Sequence, residues 1–402
     1  MKPVTLFQFL LLIIYVASCN QTNEIQWEEG YLEIHQIRYG KGNAAFFIFP
    51  DGTTMLFDAG AAEERVKDPF YPLYPTDTLT PGKLITHYIN QVNPSDSIDY
   101  AVISHFHSDH FGYVGVETPI ADNGRYRLSG ITEVGHLIPI KKIIDRDYPN
   151  YDYHEKMLGV GKLAYDNYKL FNDYRKENHL VTERLIAGKN NQIILKKHKS
   201  KFPDFSVRNI KSNQWIWSGN EDEVFEFIFD PPLFHPEGKI LENPLSIALK
   251  IEYGDFDFFT GGDLPGVDGN YDYDIESSIA PIVGEVDVLT LNHHGYLDAN
   301  NSNFIKNLKP QVAIHPTLHD PHYQKNVLTN LANQGVDVYS LAISDSVKIK
   351  FQTLLEKTHK SVNGHVMLRV MPGGEEFVIF QLRYGKNGLK IKEKYGPYKS
   401  RN

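Results

Sequence analysis

Ser104-His105-Phe106-His107-Ser108-Asp109-His110-Phe111-Gly112 places three histidines and an aspartate within six positions. They follow Tyr100-Ala101-Val102-Ile103, an apolar run with the length and composition of a buried strand. Imidazoles and a carboxylate at a strand end can bind metal. Where the strand stops and its backbone turns over, His105 and His107 can face one cation, and Asp109 and His110 can reach a second. Neutral imidazole with carboxylate suits a borderline divalent ion, zinc ahead of manganese or iron. Two ions about 3.5–4 Å apart need a bridging acid and ligands from other strand ends. Asp263, on the glycine turn Gly261-Gly262 after Phe256-Asp257-Phe258-Phe259-Thr260, is the natural bridge. Either His293 or His294, after the run from Val286 to Leu291, offers the last imidazole.

Other chemistries are poorly served. The chain has no G-x-S-x-G elbow and no G-x-x-x-x-G-K-[ST] loop, which leaves a metal-activated water as the nucleophile. Gly40-Lys41-Gly42-Asn43-Ala44-Ala45 fits G-x-G-x-x-A, but a dinucleotide fingerprint must open a helix and a strand and hairpin follow here. These glycines are expected to make a tight turn beside the metal site. A formal charge of −9 gives no general attraction to polyanions, so capture of nucleic acid by a basic surface is not supported.

The run His105-Phe106-His107-Ser108-Asp109-His110 resembles the signature of the metallo-β-lactamase fold superfamily, whose members are mostly metal-dependent hydrolases. Asn243-Pro244-Leu245-Ser246, Gly261-Gly262-Asp263, His293-His294-Gly295 and the Pro310–Ile314 strand recur in the order typical of its ComEC-like and phosphorylcholine-esterase-like branch. The resemblance covers roughly Tyr31 to Tyr339. It implies an αββα sandwich with ligands along one edge, and a supporting role for Asp58, after the Thr54–Phe57 strand, as orienter of the histidine loop. It implies that His319 or His322 contacts substrate or leaving group, although a solvated loop fits these two equally, and His315 has the same standing. The superfamily's third ligand to the first ion is usually histidine. Asn243 stands there in this chain, with His235 the nearby substitute.

With 402 residues, 41% hydrophobic and 12% aromatic, the composition is that of a globular protein with a substantial core. Met1-Lys2, a short apolar run from Val4 to Val16 and Val16-Ala17-Ser18-Cys19 read as an export signal whose end resembles a bacterial lipobox. Residues 1–18 would be removed and Cys19, the single cysteine, lipidated, anchoring the exported chain to a bacterial envelope membrane on its periplasmic or surface face. Residues 19–29 would be a polar tether, 30–360 the hydrolase domain and 361–402 a small C-terminal β extension. A helical, aromatic-rich insertion at about 116–219, with Tyr148, Tyr151, Tyr153 and Tyr165, would wall the cleft; these tyrosines are expected in core more than in contact with substrate. Helices are expected over Leu84–Val92, about Tyr153–Arg184 and Gln324–Asn333, and strands include Gln192–Leu195 and Val224–Phe229. The expected function is a dinuclear metal-dependent hydrolase cleaving a small or polymeric phosphodiester with a metal-bridging hydroxide. The alternatives are a lactone, amide or carboxylic-ester hydrolase on the same site, or a non-catalytic metal-binding surface protein.

Overall fold

The computed structural model describes residues 25–40, 42–62, 72–151, 160–229, 241–266, 273–317, 319–361 and 363–401. Cys19 with the expected signal sequence, Tyr153 and His235 lie outside them. The chain first lays down β1 (Leu32–Gln36), β2 (Ala45–Ile48), β3 (Thr54–Phe57), β4 (Ile98–Val102), β5 (Ile140–Asp145) and β6 (Val181–Arg184) in one sheet. A second sheet takes β7 (Phe205–Ser212), β8 (Trp215–Trp217), β9 (Val224–Glu226), β10 (Ala248–Tyr253), β11 (Phe256–Thr260), β12 (Val288–Thr290), β13 (Val312–His315), β14 (Asp337–Ser340) and β15 (His359–Ser361). The chain then returns to the first sheet with β16 (His365–Val370), β17 (Glu376–Gly385) and β18 (Gly388–Lys399), where β16 pairs antiparallel with β1. Among the described residues each sheet has nine strands, and β16, β17 and β18 of the expected C-terminal extension complete the first. The expected insertion likewise supplies β5 and β6 to one sheet and β7 and β8 to the other, and is built into the sandwich.

Alternation of side chains along the strands assigns the faces. Phe46 and Ile48 of β2 face outward, into a layer with Leu84, Ile85, Tyr88 and Ile89 of α1 (Pro81–Val92). That layer also takes in Ile131 and Val134 of α3 (Ile131–Leu137), and Tyr165, Tyr168 and Phe171 of α4 (Val160–Glu177). Phe47 and Phe57 face inward, against Ile251, Phe258, Val288 and Val312 of the other sheet. The far face of the second sheet is covered by α5 (Ile275–Val283), α6 (Ser302–Leu308) and α7 (Lys325–Asn333), through Ile279, Phe304 and Leu331 among others. Four layers, helix–sheet–sheet–helix, form the expected αββα sandwich. A further helix, α8 (Asp345–Thr358), packs beside α7 through Val347 and Phe351.

Some elements differ from the sequence expectation. The helix expected to Arg184 ends at Glu177, because His179 takes a left-handed backbone (φ +59°) and the chain enters β6. Gln192–Leu195 is no strand, although Ile193 and Leu195 are buried between the sheets. The backbone of Ile194 bonds instead to the Tyr100 hydroxyl on both sides, which satisfies its donor and acceptor without a ladder. The strand expected over Val224–Phe229 stops at Glu226. Ile25 is buried and Glu29 pairs with Lys201, so the last residues of the expected tether pack on the body. Tyr151 and Tyr165 are buried, with hydroxyls donating to Asp145 and Asp147, and belong to the core.

Candidate metal centre

Strands β3, β4 and β5 run parallel, as do β11, β12 and β13 in the facing sheet. Their C-terminal ends meet at one edge, where parallel sheets leave a crevice for ligands. There β3 delivers Asp58, β4 delivers Ser104 and His105, and the short helix α2 (Ser108–Phe111) carries Asp109 and His110. From the other sheet β11 delivers Asp263, and β12 runs into a 3-10 turn holding His293 and His294. Both of these histidines have left-handed backbones (φ +45° and +50°), so the two consecutive imidazoles leave the turn in different directions.

The donor atoms form two groups that share one carboxylate. Among the described residues His105, His107 and Asp263 make the first; Asp109, His110, Asp263 and His294 make the second. Asp263 Oδ1 is 3.2 Å from His110 Nε2, and its Oδ2 is 3.6 Å from His105 Nε2. His105 Nε2 and His107 Nδ1 approach to 3.1 Å, as do His110 Nε2 and His294 Nε2. Asp263 Oδ1 is buried without a hydrogen-bond partner. Several imidazole nitrogens and acid oxygens crowded together, one of them orphaned, match the donor set of a divalent cation. The residues fit a divalent cation, and Asp263 is common to both donor groups.

The electrostatics agree. Burial alone would raise the Asp263 carboxyl, but His110, His294, His293 and His105 hold it well below the usual range. Asp109 is held low in the same way, against its burial, by His110 and His294. His110 is driven well above its ordinary value by Asp263, Asp58 and Asp109, although burial opposes this. Burial, and then His110, keep His105 neutral, while the carboxylate field that draws a proton onto His110 is one that a cation would satisfy in the proton's place.

The surroundings orient these groups. His110 Nδ1 lies 2.7 Å from Asp58 Oδ2, and Asp58 Oδ1 accepts the Ser104 N–H at 2.7 Å. Asp58 thus links the His110 ring to the Ser104 backbone. The carbonyl of Asp109 accepts the Asn43 N–H at 2.7 Å, and a Cβ on Gly42 would stand 2.5 Å from that same carbonyl oxygen. Close backbone approach therefore explains this glycine of the Gly40–Gly42 turn. His315 Nε2 lies 2.9 Å from the His294 carbonyl and so props the turn. His322 stacks on His294, with centroids 4.9 Å apart, and His319 packs edge-on to His322 at 5.0 Å. Both therefore sit beside the cluster without joining either donor group.

His293 separates from His294. It is outside both groups, with Nδ1 2.5 Å from Asp298 Oδ1 and Nε2 3.8 Å from Asp263 Oδ2. Burial lowers its proton affinity, but Asp263 and Asp298 push it up to about 9. Asn243 Nδ2 is 3.2 Å from His293 Nε2, while Asn243 Oδ1 is buried and unpartnered. Sequence reasoning missed Asp298, although it lies five positions after His293 in the same loop. It also missed Ser104, directly before His105, whose hydroxyl donates to Asp58 at 2.9 Å.

No family model matches this chain, and no curated protein matches it. Among solved structures it is similar to a Parabacteroides distasonis protein provisionally named a metal-dependent hydrolase. That likeness has 12% identity, TM-score 0.34, and covers 77% of this chain and 92% of the other. It is also similar to zinc-bound PqqB of Methylobacterium extorquens, with 12% identity, TM-score 0.35, and coverage of 83% and 88%. Superpositions this loose carry no weight, and the functional reading rests on the sandwich and the donor groups at its edge.

Proposed function

We propose that this chain is an exported, lipid-anchored, dinuclear metal-dependent hydrolase that cleaves a phosphodiester. The observation that supports this reading best is the pair of donor groups joined by the Asp263 carboxylate. Two divalent cations, zinc by the donor chemistry, would lower the pKa of a water towards about 7 and offset negative charge on the substrate's oxygens. A phosphodiester, already anionic, gains more from two adjacent cations than a neutral amide or lactone does. Asp58 holds His110 in one orientation, and Asp298 holds His293 with Nε2 on the Asp263 side, where it would keep a proton for the departing oxygen. His322, stacked on His294, and His319, packed against His322, would contact substrate. Lipid attachment at Cys19 rests on the sequence alone.

The test is turnover by the metal-loaded chain on bis-p-nitrophenyl phosphate, a lactone and nitrocefin, with elemental analysis of the same sample. Phosphodiester cleavage that chelation removes and metal restores is the expected result. Cleavage of the lactone or amide with none of the phosphodiester would replace the substrate class. Activity that survives both chelation and Asp263→Ala would reject the metal mechanism. Cys19→Ala is expected to leave the chain unprocessed or move it from the membrane to the soluble exported fraction.

A further inference from the structure

Behind the first donor group lies a buried ionic cluster that belongs to no ligand set. Arg146 and Lys211 are fully buried and Glu242 is 2% exposed. Arg146 grips the Glu242 carboxylate with two nitrogens, Nη2 to Oε1 at 2.5 Å and Nε to Oε2 at 3.2 Å. Its Nη1 donates to Asn213 Oδ1 at 3.1 Å, and Asn213 Nδ2 donates back to the Arg146 carbonyl at 2.6 Å. Buried charge costs several kcal/mol per ion unless it is paired and fully hydrogen-bonded. A cluster this well satisfied poses the question of what it holds in place.

Several of its other bonds reach one side of the metal centre. Glu242 Oε2 also accepts the N–H of Phe106, the residue between His105 and His107, at 3.1 Å. The Arg146 guanidinium lies 4.7 Å from the centre of the Phe106 ring. Lys211 Nζ donates to the carbonyls of Pro244 at 2.6 Å and Ser246 at 3.3 Å, fixing the loop that presents Asn243. Ser246 Oγ in turn accepts the Asp263 N–H at 3.2 Å. None of the three touches the supports of the second group, where His110 rests on Asp58, Asp109 on Asn43 and His294 on His315; the two groups share only Asp263 and the Ser104 hydroxyl, which reaches His105 at 3.1 Å and His110 at 3.3 Å. We infer that Arg146, Glu242 and Lys211 are positioning residues for the His105–His107 side of the metal centre, setting the affinity of that group more than that of the Asp109–His110–His294 group. The inference rests on the dinuclear reading.

The experiment is zinc titration of the full chain against a chromophoric chelator, with Glu242→Gln placed in two backgrounds. His105→Ala removes the first site and leaves the second; His294→Ala does the reverse. Partners that orient metal ligands typically change affinity by about 10–100-fold. Glu242→Gln is therefore expected to weaken the remaining ion of His294→Ala by about that factor, and to change that of His105→Ala less than about twofold. Asn213→Gly is the milder variant should Glu242→Gln not fold, since it removes only a clamp on Arg146 at a position already left-handed (φ +53°). It should shift affinity in the same direction by a smaller factor. Equal weakening in both backgrounds would overturn the inference, as would lowered thermal stability with both affinities unchanged. A wild-type chain that binds fewer than two ions would overturn the dinuclear reading, and the inference with it.

Discussion

Asp58 and His110 form a fully buried pair, with Oδ2 and Nδ1 2.7 Å apart, and Asp58 reaches it from a left-handed backbone (φ +61°). Asparagine tolerates that conformation, so Asp58→Asn changes the charge with little backbone cost. Without the carboxylate, His110 loses the partner that fixes its ring. Affinity for the second ion is expected to fall about 10–100-fold, read by chelator competition, with the fold intact by circular dichroism.

Asp263 serves both donor groups, so its loss should be felt at both. Asp263→Asn is expected to reduce bound metal from two ions to one or none. Turnover of an aryl phosphodiester should fall by more than about 100-fold, beyond the usual effect of an outer partner. Elemental analysis beside the assay checks both. His107→Ala and Asp109→Ala should also abolish turnover, whereas His319→Ala should impair rate or substrate affinity with metal retained.

Gly60 tests how tightly the ligand loop is stapled. A Cβ there would come within 1.8 Å of the Asp109 carbonyl oxygen, and that backbone cannot give way without moving Asp109 and His110. Gly60→Ala is expected to cost about 1–3 kcal/mol in stability, as overpacking does, and to weaken the second ion. A thermal melt of the metal-free chain separates the two effects. An unchanged melting temperature would show that the loop has slack.

Asp147 makes stability depend on pH. Its carboxyl, 2% exposed, is pushed by burial from 3.8 up to about 6, although Arg146 and Arg184 pull it down. Between about pH 4 and 6 the folded chain therefore holds a proton that the unfolded chain has released. This contribution is complete below pH 4 and is lost as pH rises through 6, by at most about 3 kcal/mol. Asp147→Asn, which stays neutral, should flatten this part of the profile. Denaturant unfolding of the two chains at a series of pH values measures the difference.

The ligand types and the sandwich were legible because each rests on a local pattern. His105 to His110, Asp263 and His293-His294 all follow apolar runs ending in glycine or polar turns, and a run of that kind has few conformations besides a strand delivering its end to an edge. Gln192–Leu195 shows the limit: its apolar pattern reports burial correctly, but the hydrogen-bond partner is the distant Tyr100 hydroxyl. The helix misread through Arg184 has a similar cause, since Val181–Arg184 becomes a strand only by pairing with β5.

By itself, then, the sequence determined which side chains could hold metal and that they stand at strand ends, because residue type and short spacing are written along the chain. Only the tertiary structure decided that His294 joins Asp109 and His110 while His293 turns to Asp298. It also decided that Asp263 stands between both groups, and that Glu242, 136 positions from Phe106, holds the first histidine turn. Those choices depend on how two sheets pack and on left-handed backbone at two adjacent histidines. Long-range packing sets such relationships, and no local spacing encodes them.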